Sequence, residues 1–214
     1  MNLNPFRFFK KKVVERKIHI LTNKAEKKAL LRERVANVWF SMTNRERHKK
    51  SQLATGRLLH YLNLIEAKTV LFYASMEDEP STDQILEIWM QDPKRTLVLT
   101  RVCNSTKQLD PYKVDSWEQL EMGRFRIRMP HKDCQQIDLT ELDAVVVPGR
   151  LFDKNKNRIG RGYGFYDRFL TVVPEDVKRI GLAFQFQMTH ELPVEEHDVP
   201  MDVVITEERT YDLT

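Results

Sequence analysis

Five short apolar runs, set apart by segments long enough to hold helices or long loops, constrain the fold of this chain more than any other feature. They fall at residues 69–73, 96–100, 144–147, 178–184 and 202–206 and are rich in Val, Leu, Ile and Phe. Their length and β-branched content suit strands, and their lack of apolar/polar alternation suits strands buried on both faces. Buried strands that alternate with helices predict an α/β fold: a mostly parallel central sheet covered on both sides. Such sheets place ligands in the crevice at the carboxyl ends of their strands. The polar loop at 74–80 and the segment after 147 occupy such ends.

The connecting segments carry helix signals. Asn23 with Glu26 has the form of a capping box, and Ala25, Leu30, Leu31, Val35, Val38 and Trp39 then recur at helical spacing. Lys28 and Arg32 lie four apart, hence on one helix face, where a solvated basic face is the plain reading. Thr43 with Glu46 opens a second helix to Ile65, with Leu53, Leu58, Tyr61, Leu62 and Ile65 as its apolar side. Ser81 and Gln84 begin a third, to about Gln91. Residues 108–130 read as short irregular strands and turns around Trp117 and Phe125. The 214 residues suit one domain, placed at 22–214. Residues 1–21 interleave Phe6, Phe8 and Phe9 with basic residues and fit neither a signal nor a transit peptide. They are expected to form a basic extension, largely disordered.

Residues 145–170, VVVPGRLFDKNKNRIGRGYGFYDRFL, hold the densest chemistry. Gly160, Gly162 and Gly164 alternate with side-chain residues, so the backbone can take positive φ and expose amide N–H groups to an anion. Arg158 and Arg161 carry forks suited to phosphate oxygens. A helix at about 163–170 would point its amino end at the same spot, and Asp167 adds a hard oxygen of the kind Mg²⁺ takes. The run is neither a Walker A loop nor a dinucleotide fingerprint, since no Gly-Lys-Ser/Thr follows and the glycine spacing differs. On composition alone a solvated connection explains it as well. Arg101 ends the second strand, where it could meet an anion or simply sit at the surface. Gln185 and Gln187 follow the fourth strand and are candidates to line a pocket. His197 has no second histidine at metal-ligand spacing.

Charge is unevenly spread. Residues 1–50 hold 15 of the 35 Lys/Arg but only 4 of the 31 Asp/Glu, so the remainder is net acidic. A polyanion partner for the amino-terminal region and a solvated basic helix both account for this. Cys103 and Cys134 have no zinc-like spacing and read as free thiols of a reducing compartment. No apolar run approaches the ~18 residues of a membrane span.

Val147, Phe152-Asp153, Asn157-Arg158-Ile159-Gly160-Arg161-Gly162 and Gly164-Phe165-Tyr166-Asp167 together resemble the signature of the 5-formyltetrahydrofolate cyclo-ligase (methenyltetrahydrofolate synthetase) family. The resemblance covers roughly residues 24–206 and includes Lys28 and Arg32, Glu79 and Asp198. It implies a three-layer α/β/α domain and a cytoplasmic, monomeric ligase of one-carbon metabolism, with no nucleic-acid partner. The implied reaction is the Mg²⁺- and ATP-dependent cyclisation of 5-formyltetrahydrofolate to 5,10-methenyltetrahydrofolate, through phosphorylation of the formyl oxygen. By the same resemblance Arg161 is catalytic. Lys28, Arg32, Arg158, Ile159, Gly160, Arg161, Gly162, Tyr163, Gly164, Phe165 and Tyr166 bind ATP. Ala74, Glu79, Arg161, Tyr163 and Phe165 bind the folate, and Asp167 and Asp198 hold Mg²⁺. Tyr163, Phe165, Arg126 and Met129 depart from the commonest family pattern. The alternative is a non-enzymatic nucleotide- or RNA-binding protein that uses its basic amino terminus. A relative of CoA-transferases or sugar-phosphate isomerases rests on fold analogy alone.

Overall fold

A computed structural model describes residues 23–103, 108–123, 126–195 and 198–212. The basic extension at 1–21, Phe125 and His197 lie outside the described residues. Helices α1 (Lys24–Ser41) and α2 (Asn44–Leu64) come first, followed by β1 (Thr69–Phe72), α3 (Asp83–Gln91), β2 (Thr96–Val102) and β3 (Leu109–Val114). Next are β4 (Leu120–Met122), β5 (Arg128–Pro130), β6 (Ala144–Pro148), β7 (Leu151–Asp153) and β8 (Arg158–Ile159). The chain then forms α4 (Phe165–Leu170), β9 (Lys178–Leu182), β10 (Met188–Thr189), β11 (Val203–Ile205) and β12 (Thr210–Tyr211). Among the described residues no helix is long and apolar enough to cross a membrane.

The five apolar runs form the centre of a seven-stranded sheet, ordered β12-β11-β9-β6-β1-β2-β3. All pairings among β11, β9, β6, β1 and β2 are parallel. The two edge strands, β3 and β12, run antiparallel to their neighbours. Successive residues of each parallel strand face opposite layers. Val70, Phe72, Leu97, Leu99, Val146 and Ile180 pack with Leu58 and Leu62 of α2 and Ile85, Leu86 and Trp89 of α3. Leu71, Val98, Val145, Val147 and Val204 pack on the other side with Phe169 and Leu170 of α4 and with Val173 and Val177. Two buried faces explain why these strands lack alternation, and the result is a three-layer arrangement.

Local signals hold with adjustments. Thr43 and Glu46 form a reciprocal capping box at α2, and Asn23 Oδ1 accepts the Ala25 N–H at 2.9 Å at α1. Leu31, Val35 and Trp39 are the buried stripe of α1, and Trp39 stacks on Phe184 at 5.0 Å between ring centroids. Leu53, expected on the apolar side of α2, is 49% exposed, because the sheet is covered by the face carrying Ala54, Leu58 and Leu62. At α3 the cap position belongs to Thr82 rather than Ser81, and the Thr82 hydroxyl donates instead to the Tyr73 carbonyl at 2.8 Å. Gln185 and Gln187 do not line the cleft at the carboxyl edge of the sheet. Gln187 is buried and donates to the Gly149 carbonyl at 2.8 Å, while Gln185 pairs with Tyr211 and Thr206.

Candidate active site

A cleft of about 290 Å³ opens at the carboxyl ends of β1, β2 and β6, walled by the loop after β1, by the Gly149-Arg150 turn and by residues 160–167. The segment after β6, read from sequence as a loop, is instead the hairpin β7–β8, extended by β10 into a small separate sheet. Its strands are too short and too charged to stand out as periodic patterns. Burial and hydrogen bonds build it. Asp153 is fully buried and accepts from Asn157 N (2.9 Å), Asn157 Nδ2 (3.0 Å) and Leu192 N (2.9 Å). Lys156, at φ 64°, turns its ammonium into the carbonyl of Asp202 at 2.9 Å. Phe152 slides under Gly149 and Gly181, where a built Cβ would meet its ring at 2.5 and 2.6 Å, so any side chain at either position would displace it. Much of the chemistry at 152–157 therefore serves to hold the hairpin that carries the cleft residues.

Beyond the hairpin, Gly162 (φ 95°) and Gly164 (φ 68°) take left-handed backbone that side-chain residues rarely adopt. Gly164 is the cap of α4, which therefore starts at Phe165 rather than at Tyr163. Tyr163 is exposed beside Phe165, at 6.2 Å between ring centroids, and both line the cleft. Tyr166 is pushed above its usual phenol pKa by burial, with the Glu79 carboxylate adding to the effect. Ala74, Glu79, Gly160, Gly162 and Tyr166 also contribute to the wall, whereas Ile159 turns into a core cluster with Leu31 and Val35 of α1.

The arginines of this region are engaged by acids. Arg158 is buried; it is paired with Asp167 and donates to the Pro148 carbonyl at 3.3 Å, while its Nε has no hydrogen-bond partner among the described residues. Burial lowers the Arg158 guanidinium pKa, and the Asp167, Tyr166 and Asp198 charges act in the opposite sense. Arg161 donates to Glu79 Oε1 from Nε at 3.1 Å and from Nη2 at 3.0 Å, and pairs with both carboxylate oxygens of Asp78. Burial acts to lower the Arg161 pKa, but Asp78 and Glu79 outweigh it and hold it above the ordinary guanidinium value. Arg150 joins the same cluster through Asp78 Oδ2 at 2.5 Å.

Burial opposes the charged form of Asp78, yet Arg161 and Arg150 together hold its carboxyl below the usual range. A carboxyl depressed in the folded state adds stability that is complete above its unfolded pKa of about 3.9 and is lost as pH falls through the lower folded value. Urea midpoints are accordingly expected to drop as pH is lowered from about 5 towards 2, and Asp78→Asn to flatten that slope. An unchanged slope in the variant would mean that the pair adds nothing to stability.

Helix α1 lies against the signature although 128 residues separate them in sequence: Arg32 Nε donates to the Gly160 carbonyl at 2.9 Å. Burial lowers the Arg32 pKa, with the Arg150 charge adding to it and Asp167 opposing. Lys28 sits 3.4 Å from Asp198 and 3.5 Å from Glu195. Lys28, Arg32 and Asp198 thus gather beside the cleft rather than on its wall. Asp167 and Asp198 both bear on Arg158 electrostatically. Among the described residues no three His, Cys, Asp or Glu side chains cluster as a metal cage. Two hard carboxylates still suit Mg²⁺, which keeps several waters and takes few protein ligands.

Sequence pattern alone assigns no role to Asp78, nor to Arg150, Tyr73 or Thr100, which line the cleft. The available signals were the position of Arg150 in the turn after the third strand and that of Asp78 beside Glu79. Arg101 lines the cleft while paired with Glu121 at 2.6 Å.

Residues 24–207 match the sequence model of the 5-formyltetrahydrofolate cyclo-ligase family. A 5-formyltetrahydrofolate cyclo-ligase of Haemophilus influenzae is 30% identical over 190 residues, covering 84% of this chain and 98% of its own. One of Mus musculus is 29% identical, covering 78% of this chain and 87% of its own. The solution structure of Aquifex aeolicus 5,10-methenyltetrahydrofolate synthetase superimposes with a TM-score of 0.77 at 27% identity, over 87% of this chain and 92% of that one.

Proposed function

This chain belongs to the 5-formyltetrahydrofolate cyclo-ligase family, and on that premise we propose that it closes 5-formyltetrahydrofolate to 5,10-methenyltetrahydrofolate while MgATP becomes ADP and phosphate. Membership makes it an ATP-dependent ligase and decides against a purely binding role. The observation that carries the site assignment is the convergence of Arg150, Arg158 and Arg161 with Glu79 and the rings of Tyr163 and Phe165 in one cleft. Residues 22–214 act as one unit in this reading, with 1–21 as an appendage.

A formamide oxygen is a poor leaving group in water. Transfer of the γ-phosphoryl of ATP to that oxygen forms the new P–O bond, breaks the bond to ADP and leaves an activated C–O bond. N10 of the same folate then attacks the carbon, phosphate departs with the C–O electron pair, and N10 gives up its proton as the ring closes. Both steps rely on positioning and on charge stabilisation, so no covalent nucleophile from the protein is needed. Arg161 faces the charge that develops on the transferred group, and Arg158 with the Gly160–Gly164 backbone cradles the phosphates. Lys28 and Arg32 close on ATP from α1. Glu79 accepts from a polar edge of the folate, and Phe165 and Tyr163 lie against its flat rings, with Ala74 leaving room beside them. Ile159 and Tyr166 shape the nucleotide side through packing. Asp167 and Asp198 would hold Mg²⁺, which when bound supplies positive charge to phosphate oxygens.

The test mixes the purified chain with MgATP and 5-formyltetrahydrofolate and follows the near-ultraviolet absorbance of the methenyl product. Product that requires both substrates is expected; folded protein that forms none rejects the reading.

A further inference from the structure

We infer that Asp78 is a positioning residue that acts through Arg161. Its carboxylate ties the Arg161 guanidinium to Arg150, and thereby to the β7–β8 hairpin. Arg161 and Arg150 line the cleft, whereas Asp78 sits behind them and does not contribute to the wall. Both carboxylate oxygens of Asp78 are used: Oδ1 on Arg161 Nη2, and Oδ2 shared between Arg161 Nη1 at 3.3 Å and Arg150 Nη1 at 2.5 Å. Arg150 also donates to the Asp78 backbone carbonyl at 3.2 Å, which fixes the loop as well as the side chain.

Arg150 is itself held at both backbone ends. Its N–H donates to the Ile159 carbonyl at 2.7 Å, and its own carbonyl accepts from the buried Gln187 at 3.2 Å. A rigid path therefore runs from the hairpin through Arg150 and Asp78 to the plane of Arg161. Glu79 alone would not give this. It offers one oxygen, Oε1, to both Nε and Nη2, while its Oε2 is engaged by the Met76 N–H at 3.0 Å. A single acceptor leaves the guanidinium free to rock about one point; the two oxygens of Asp78 set its plane. Sharing Oδ2 with Arg150 also divides the hold of Asp78 on Arg161, which lets a phosphate compete for the same fork.

This inference rests on the cyclo-ligase reading, and a double-mutant cycle tests the two separately. Asp78→Asn keeps the shape and removes the charge; it is expected to lower kcat for methenyl formation roughly tenfold to hundredfold, the scale of a misplaced catalytic group. In an Arg161→Ala background the same change is expected to leave kcat within about twofold, because the group it positions is gone. An equal loss in both backgrounds, or an unchanged kcat in the first, overturns the inference while the reaction stands. A wild-type chain that makes no product overturns both. Should Asp78→Asn not fold, Asp78→Glu, which keeps the charge but moves both oxygens by one methylene, carries the same comparison with the same expected outcomes.

Discussion

Replacing Arg161 by alanine is expected to lower kcat by roughly two decades or more, the loss that follows removal of a group stabilising charge in the transition state. Its fork meets Asp78 and Glu79 and lines the cleft. These acids are its partners in the structure, and in the proposed reaction the transferred phosphoryl would compete for the same donors. Truncation also strips a cation from Glu79, whose side chain is only 8% exposed. A loss of stability on the order of 1 to 3 kcal/mol is therefore expected as well, discounted for the partly open cleft. The two effects separate experimentally: steady-state rates report kcat, and urea unfolding reports the fraction folded under assay conditions. Arg161→Lys, which keeps the charge but loses the planar fork, should recover part of the rate. A folded Arg161→Ala protein with wild-type turnover would remove Arg161 from the mechanism.

The second large effect is on stability and falls on Asp153. This carboxylate is fully buried and accepts three hydrogen bonds, two of them from the backbone N–H groups of Asn157 and Leu192. Asp153→Ala would leave both donors inside the protein with no acceptor. Each stranded donor costs about 1 to 3 kcal/mol, so a total loss of roughly 2 to 6 kcal/mol is expected, a large share of the stability of a domain this size. The denaturant midpoint should fall with little change in m, the slope of unfolding free energy against denaturant. Activity should fall too, through the hairpin that carries Arg150 and Arg158. A loss of unfolding free energy under about 1 kcal/mol would show that water or a rearranged loop satisfies these donors. It would also make the Asp153–Asn157 pairing a surface feature of the signature rather than its support.

The departures from sequence-based expectation share a cause. Five core strands, the caps at Asn23 and Thr43 and the positive φ of Gly162 and Gly164, though not of Gly160, were legible because each depends on neighbours within a few residues: apolar content, a side-chain oxygen at the right offset, a missing Cβ. The hairpin β7–β8 was not, since strands of three and two residues carry no readable period and their burial comes from α1 and Leu192. The edge strand β3 read as irregular because it contains Pro111 and sets the polar Asp110 and Lys113 between its buried positions. Leu53 looked like core because helical spacing marks a face, and only the position of the sheet says which face is covered.

By itself, then, the amino-acid order determined a parallel α/β sheet, the helices that flank it and a glycine-arginine segment after the third strand. It also carried a family signature long enough to name the chemistry. Tertiary structure alone decided which charges meet. Arg161 finds Asp78 across 83 residues, Arg32 finds Gly160 across 128, and Lys28 finds Asp198 across 170. Parallel strands force each connection to cross the sheet, so residues at successive carboxyl ends become neighbours however far apart they lie in sequence. Local propensity acts over a few residues and carries no information about that pairing.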